Sequence, residues 1–256
     1  MIKNIILGIQ AYFGAFSLIS KLKLWKYFAI PMLISFVTAV LIFASAYSFS
    51  DNIADYLSSL FPGWNTSSWI KILLEILIGL LIIALGLILY KHIIMALSAP
   101  FMSPVSEKIE THLIGKIHTH RSTSFSQQLW RGIRINVRNL GMELLLTIPI
   151  LLLGFIPIIG IFSTVLLFLV QAYYAGFGNM DYTLERHFKY SESVQFVKNH
   201  RGLAIGNGII FMLFLLIPII GVILVLPLSV TAATLKTVEA IQIKNFLKQT
   251  ILEAKP

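Results

Sequence analysis

The five residues Ile-Pro-Ile-Ile-Gly occur twice in this chain, at Ile156–Gly160 and at Ile217–Gly221. Each copy is centred in a long apolar stretch, and each stretch is bounded by charged segments. Proline followed three residues later by glycine is typical of a turn, because proline cannot continue a helix freely and glycine tolerates conformations that other residues avoid. The internal repeat therefore predicts two hairpins of apolar helices.

The apolar arms of these hairpins are short. Met142–Phe155, Leu203–Leu216 and Val222–Leu235 contain 14 residues each. A helix of that length covers about 21 Å, which is less than the roughly 30 Å of a hydrocarbon core. Segments rich in Lys and Arg flank both hairpins, and such flanks are typically cytoplasmic. We predict two re-entrant hairpins, at 142–178 and 203–235, that enter from the cytoplasm. Four short or tilted full crossings are the alternative, since they would return the same flanks to the cytoplasm.

The composition indicates that lipid solvates much of the protein. Hydrophobic residues make up 57% of the chain and charged residues 12%, and the mean hydropathy is +0.85. A water-soluble fold of this size needs far more charge on its exterior. Phe28–Phe49 contains no charge in 22 residues, and Ile72–Ala99 is a second long apolar run. The expected fold class is an all-α integral membrane protein with two long transmembrane helices, two re-entrant helical hairpins and an N-terminal interfacial helix.

These features predict one membrane domain over residues 1–256. The connection between the two long helices is the least basic and should face outward, whereas the basic segments and both termini should be cytoplasmic. The expected order is an interfacial helix with a basic turn (1–27), the first transmembrane helix (28–50), an outer loop (51–71), the second transmembrane helix (72–99), a cytoplasmic segment (100–141), the first hairpin (142–178), a cytoplasmic segment (179–202), the second hairpin (203–235) and a cytoplasmic tail (236–256).

Several classes of function are excluded or disfavoured by the sequence. The chain has no cysteine, which excludes disulfides and metal sites built on sulfur. His118 and His120 form a poor ligand set without nearby carboxylates, so no metal site is expected. The chain has a net charge of +9, and its basic residues flank apolar runs. This placement favours contact with anionic phospholipids over contact with nucleic acid. No nucleophile–base pair or nucleotide-binding loop is present, so neither an enzyme nor a cofactor is expected.

A set of short motifs, spread from about Ile9 to Leu235, resembles a known family. The motifs are Tyr12-Phe13, Pro31, Ala99-Pro100-Phe101, Glu107–Glu110, Phe155–Gly160, Asp181-Tyr182, His187, Ile217-Pro218 and Pro227–Thr234. Their order and spacing are similar to those of the CysZ family of bacterial sulfate permeases, whose wider family includes the eukaryotic etoposide-induced membrane proteins. The resemblance implies an oligomeric inner-membrane protein with two long transmembrane helices and two half-crossing hairpins. It also implies uptake of sulfate for cysteine synthesis.

The resemblance also implies an anion-binding motif before the first transmembrane helix. In the family this motif is a glycine, an aliphatic residue and then arginines, and the matching positions here are Lys23, Leu24, Trp25 and Lys26. Trp25 and Lys26 stand in place of arginines, and a lysine offers a point charge where arginine offers a planar fork. From the residues alone, these lysines would instead anchor the chain at the membrane surface.

Two further groups of residues are candidates for an anion path. Arg131, Arg134 and Arg138 have the spacing that places three guanidinium groups on one face of a helix. This stripe either collects anions at the cytoplasmic mouth or contacts phospholipid headgroups. The glycines that end the repeats should each begin a helix with unpaired backbone N–H groups, which attract anions. The second group is Gly160 and Gly221, with Ser163 and Thr164 as hydroxyl donors; the alternative is that the repeats are only turns.

The leading functional hypothesis is passage of a small inorganic oxyanion, sulfate first, through a homo-oligomeric permease or channel. The rival hypothesis is a non-conducting membrane scaffold, or a protein that binds anionic lipids through its lysines and arginines.

Overall fold

The computed structural model describes residues 1–60, 68–115, 123–154, 156, 159–217 and 220–253, and its regular structure there is all helical. Eight α-helices follow one another, with a short 3₁₀ helix at Leu24–Tyr27 between the first two. The helices are α1 Ile2–Lys21, α2 Ala29–Leu60, α3 Ser68–Ile114, α4 Phe125–Gly154, α5 Ile159–His187, α6 Tyr190–Asn199, α7 Arg201–Leu215 and α8 Ile220–Glu253.

The two long helices α2 and α3 form an antiparallel pair. Ser35 of α2 is hydrogen-bonded to Tyr90 of α3 at 3.0 Å, and Asp55, near the other end of α2, forms an ion pair with Lys71 at 2.8 Å. α2 has 32 residues and α3 has 47. α3 passes through Pro100 and Pro104 without ending, so it continues well beyond its apolar run. The two long apolar runs found in the sequence, Phe28–Phe49 and Ile72–Ala99, therefore lie within helices, except for Phe28 itself, which precedes α2.

Both repeats coincide with breaks between helices. α4 ends at Gly154 and α5 begins at Ile159, while α7 ends at Leu215 and α8 begins at Ile220. In each pair the two helix ends lie against each other: a methyl group on Gly160 would come 2.8 Å from the carbonyl oxygen of Gly154, and one on Gly221 would overlap the carbonyl oxygen of Phe214. Glycine is therefore required by close approach. Pro157, Ile158, Pro218 and Ile219 lie outside the described residues.

Helix length does not distinguish half-crossings from full crossings. α4 contains 30 residues and α5 contains 29, because both helices extend into the charged flanks of the first apolar stretch. Among the described residues, six helical segments are long and apolar enough to cross a membrane by length and composition, namely Ile2–Lys21, Ala29–Ser59, Lys71–Ile114, Phe125–Gly154, Ile159–His187 and Leu224–Lys244. α7 is a shorter apolar helix of 15 residues.

α1 packs on α7 and α8 through its small residues. Gly8, Ala11, Ala15 and Ile19 are buried, and a methyl group on Gly206 of α7 would overlap the carbonyl oxygen of Ile5. Four larger apolar residues of α1, namely Ile2, Ile6, Phe13 and Phe16, are exposed. An apolar stripe that points outward fits a lipid-facing surface, because lipid rather than the protein core can solvate it.

α5 and α7 pack with their backbones in contact. A methyl group on Gly176 would overlap the carbonyl oxygen of Ala204, and one on Gly208 would overlap that of Ala172. The backbones therefore touch at two places, as is typical of helices that associate in membranes through small residues.

Candidate anion-binding site

The basic turn, defined here as residues 21–27, joins α1 to α2. Lys23 has φ 52° and ψ 42°, and it is the one residue other than glycine with positive φ among the described residues. This left-handed conformation favours glycine. A glycine would adopt this conformation with less strain than the lysine found here. Leu24, the next residue, is fully buried in the core beside Phe28, and it fixes the turn to the helices.

Trp25 is a packing residue of the basic turn. Its indole N–H donates to the Ser20 hydroxyl at 3.2 Å, and its ring meets the rings of Phe16 and Phe28 edge-on, with centroid distances of 5.5 and 6.2 Å. The single donor of the side chain is thus already used. Lys26 is exposed, and its ammonium lies 5.4 Å from the centroid of the Tyr27 ring.

A third cation reaches the same place from α3. Lys108 Nζ donates a hydrogen bond to the Tyr27 hydroxyl at 2.6 Å and lies 4.5 Å from the centroid of the Tyr27 ring. The hydrogen bond from Lys108 lowers the pKa of Tyr27 below its ordinary value, and the charges of Lys108 and Lys26 act in the same direction. Within the described residues, no carboxylate forms an ion pair with Lys23, Lys26 or Lys108. The basic turn therefore carries positive charge that the nearby protein does not compensate.

The arginine stripe lies on one helix, as the spacing predicts, but most of it faces the protein. Arg131 of α4 forms a bidentate pair with Asp181, with distances of 2.9 Å from Nε and 2.8 Å from Nη2. It also donates to the carbonyl oxygen of Phe188 and to the Ser193 hydroxyl, at 2.9 and 2.7 Å. Arg131 therefore holds α4 to α5 and α6, and each of its guanidinium nitrogens already donates to a protein acceptor.

The other two arginines lie beside aromatic rings. The guanidinium carbon of Arg134 is 4.1 Å from the centroid of Tyr190, and Arg134 is exposed. Arg138 donates to the Asn139 side chain at 3.0 Å and lies 5.4 Å from the centroid of Phe177. Of the three predicted residues, Arg134 is exposed, whereas Arg131 and Arg138 are partly buried.

The glycines of the repeats do not offer free amides. Gly160 N–H donates to the carbonyl oxygen of Ile156 at 3.0 Å, and Gly221 N–H donates to that of Ile217 at 2.8 Å. The prediction that these two amides are unpaired is therefore wrong, because the turn residues before each glycine already supply an acceptor. Thr164 donates its hydroxyl to the carbonyl oxygen of Gly160 at 3.0 Å, and Ser163 is buried. These residues are not brought near the basic turn by any described contact.

A buried polar network between α3, α4 and α5 has no counterpart among the predicted site residues. Lys91 and Glu143 form an ion pair at 2.7 Å, and their side chains are 1% and 2% exposed. His92 Nε2 lies 3.1 Å from the other oxygen of Glu143. Charges within apolar runs are the sequence signal for such a network, because an unpaired charge is costly in lipid.

A second buried polar cluster joins α3 to α5. Arg186 Nη2 pairs with Glu110 at 2.9 Å, and His187 Nε2 lies 2.5 Å from the other oxygen of Glu110. Glu185 accepts a hydrogen bond from the Ser103 hydroxyl. Each buried lysine or arginine in this region therefore lies against a carboxylate. The basic turn differs from this region, because among the described residues its lysines have no carboxylate partner.

The described residues are helical, include six apolar segments long enough to cross a bilayer, and combine an outward-facing apolar surface with paired internal charges; such a protein is a multi-pass membrane protein. Comparison with known sequences identifies the family. The profile of the family described as Sulfate transporter CysZ/Etoposide-induced protein 2.4 matches residues 11–226, and the chain belongs to this family. The resemblance seen in the sequence motifs is thereby confirmed, and the assignment to a transporter family agrees with the prediction that the chain is not an enzyme.

Individual relatives are bacterial proteins named sulfate transporter CysZ. The protein of Pectobacterium atrosepticum is 26% identical over 230 residues, which cover 89% of this chain and 82% of the relative. That of Pseudomonas fluorescens is 26% identical over 230 residues, covering 86% and 88%. That of Vibrio parahaemolyticus is 29% identical over 170 residues, covering 65% and 68%. The similarity is low in identity and extends over most of the chain.

Proposed function

We propose that this protein is a permease that carries sulfate, or a closely similar oxyanion, into a bacterial cell for cysteine synthesis. The observation that carries the proposal is the uncompensated positive charge of the basic turn, at the position where the family has its anion motif. Similarity to bacterial proteins named sulfate transporter CysZ supports the choice of sulfate.

The binding residues of the basic turn have different roles in this proposal. Lys26, and Lys23 in its left-handed conformation, supply positive charge, which attracts a dianion from solution. Leu24 and Trp25 set the shape of the turn, since the first is buried in the core and the second packs on neighbouring rings. Arg134 adds an exposed charge elsewhere on the surface, and anionic phospholipids are further partners of these cations.

The proposed membrane layout keeps the predicted arrangement. α2 and α3 cross the inner membrane, α1 lies at its cytoplasmic interface, and the pairs α4–α5 and α7–α8 enter from the cytoplasm and return to it, within a homo-oligomer. The charged flanks of both pairs support this direction of entry. Because the chain has no cysteine, single cysteines at Ile156 and Ile217, which are both exposed, report the layout directly. Labelling by an impermeant maleimide added from the outside would contradict it, whereas labelling only from the cytoplasmic side is expected.

Uptake of ³⁵S-sulfate into proteoliposomes tests the function. Purified protein should import sulfate faster than empty vesicles of the same lipid, and unlabelled sulfate should compete. The relative from Pectobacterium atrosepticum, reconstituted in parallel, serves as the comparison protein. Import no faster than in empty vesicles, at matched protein content, would reject the proposal.

A further inference from the structure

We infer that Tyr27 and Lys108 complete the oxyanion site of the basic turn, so that a tetrahedral oxyanion binds between the ammonium groups of Lys26 and Lys108 and accepts a hydrogen bond from the Tyr27 hydroxyl. This inference rests on the proposed function for the identity of its ligand. Its chemistry fits two sources, which are free sulfate and the phosphate group of an anionic phospholipid.

The first step of the argument is placement. Lys108 lies 81 residues after Tyr27 in the sequence, and only the fold of α3 against the turn brings the two together. Its ammonium is 2.6 Å from the Tyr27 hydroxyl oxygen, and Lys26 approaches the same ring at 5.4 Å from its centroid. Two ammonium groups from distant parts of the chain therefore surround one phenol.

The second step is charge. Three lysines elsewhere in the described part of the chain, Lys71, Lys91 and Lys236, form ion pairs with carboxylates. Lys108 instead lies against a neutral hydroxyl, and its sequence neighbour Glu107 is not within ion-pair distance of it in the described part of the chain. Two ammonium groups within 5.4 Å of the centroid of one ring repel each other, and an anion bound between them would offset that repulsion.

The third step is the count of donors. The Tyr27 oxygen accepts from Lys108, which leaves the phenolic hydrogen free to donate, and no acceptor contacts it among the described residues. An ammonium group has three N–H donors, of which Lys108 uses one on Tyr27. The lowered pKa of Tyr27 makes the phenol a stronger donor. A tetrahedral oxyanion, which accepts only, matches a site made only of donors.

The fourth step concerns the positions where the family has arginines. Trp25 cannot supply the missing donors, because its N–H is bound to Ser20. Tyr27 and Lys108 restore donors at the same place, together with a second full charge beside Lys26. The structure thus offers a route by which this chain keeps an oxyanion site without the arginine fork.

The test measures sulfate binding separately from transport. Detergent-purified, delipidated protein is equilibrated with ³⁵S-sulfate, and four variants are compared, namely Lys108→Met, Lys108→Arg, Tyr27→Phe and Lys198→Met. Lys198 is an exposed residue of α6 with no ion pair among the described residues, which makes it the matched control. Lys108→Met should weaken sulfate binding about tenfold, since a charge-assisted hydrogen bond is lost. Tyr27→Phe should weaken it severalfold, and Lys198→Met and Lys108→Arg should stay near wild type.

A second arm identifies the source of the anion. Wild type and the same variants are purified with phosphatidylglycerol present, and the retained lipid is measured by mass spectrometry. Loss of retained lipid in Lys108→Met, without sulfate binding by any sample, assigns the site to a headgroup phosphate. Sulfate binding that depends on Lys108 assigns it to free sulfate. Failure of transport with such binding intact would reject the proposed function and keep the site. Equal sulfate binding and equal lipid retention by Lys108→Met and Lys198→Met would overturn the inference, whatever the transport result.

Discussion

Replacing Arg131 by methionine should strongly destabilise the fold, because Arg131 joins three helices. Its guanidinium donates two hydrogen bonds to Asp181, one to the carbonyl of Phe188 and one to Ser193. The pair is largely shielded, with side chains 13% and 6% exposed. Methionine fills a similar volume but leaves the Asp181 carboxylate without a partner. Breaking a buried pair in this way costs about 3–5 kcal/mol.

The comparison variant is Arg134→Met. Arg134 belongs to the same predicted stripe, but it is exposed and stacks on Tyr190 without an ion pair in the described part of the chain. Its loss should cost about 1 kcal/mol or less. Both variants remove one positive charge from α4, so their difference isolates the buried contacts from the change in net charge.

The assay is thermal unfolding in one detergent, followed by circular dichroism at 222 nm and by the fraction that stays monodisperse on size exclusion. The melting temperature of Arg131→Met should fall by about 6–20 °C, and that of Arg134→Met by less than about 4 °C. Asp181→Asn should resemble Arg131→Met, and the double variant should lose less than the sum of the two single changes. Equal melting temperatures for wild type, Arg131→Met and Asp181→Asn would refute the structural role assigned to this arginine.

Three further predictions concern the core, the buried network and the site. Gly208→Val should prevent assembly of folded protein, because the valine side chain would overlap the backbone of Ala172. Gly14→Val is the control, since the space around Gly14 is open, and it should give the wild-type yield of folded protein. Equal yields from the two variants would contradict the close contact between α5 and α7. Glu143→Gln should lower the melting temperature by leaving Lys91 unpaired in the interior, and Glu143→Gln combined with Lys91→Met should recover part of the loss; no recovery would argue against a direct pair. Sulfate binding should weaken as pH rises through the lowered pKa of Tyr27, because the neutral phenol donates a hydrogen bond and the phenolate repels a dianion. In Tyr27→Phe this loss of binding at high pH should be absent. The same pH profile in Tyr27→Phe and wild type would exclude Tyr27 from the site.

Local chemistry allowed part of the fold to be predicted from the sequence. Proline and glycine in the two repeats predict the breaks after Gly154 and Leu215, because turn chemistry acts over a few residues. Apolar runs predict that helices exist, but not where they end. α4 begins at Phe125, 17 residues before the apolar arm that starts at Met142, since a helix continues through polar residues wherever packing supports it.

The candidate site shows the same division between local and tertiary information. The resemblance of Lys23–Lys26 to the family's anion motif selects this turn from the sequence, and Lys23 has the backbone conformation that glycine prefers. The contact between Lys108 and Tyr27 has no signal in the sequence, because it depends on how α3 packs. The spacing of Arg131, Arg134 and Arg138 correctly predicts that they lie on one helix. Spacing alone does not tell whether a helix face contacts solvent, lipid or protein, and Arg131 faces the protein because it pairs with Asp181 of α5.

The most direct test of the central claim is the initial rate of ³⁵S-sulfate uptake by proteoliposomes. Three samples are compared at equal protein content: wild type, Lys198→Met, and the double variant that combines Lys26→Met with Lys108→Met. The account predicts that wild type and Lys198→Met import sulfate well above empty vesicles, and that the double variant, while still monodisperse and helical, falls close to the empty-vesicle rate. Wild-type uptake equal to that of empty vesicles, with the relative from Pectobacterium atrosepticum active in parallel, would contradict it.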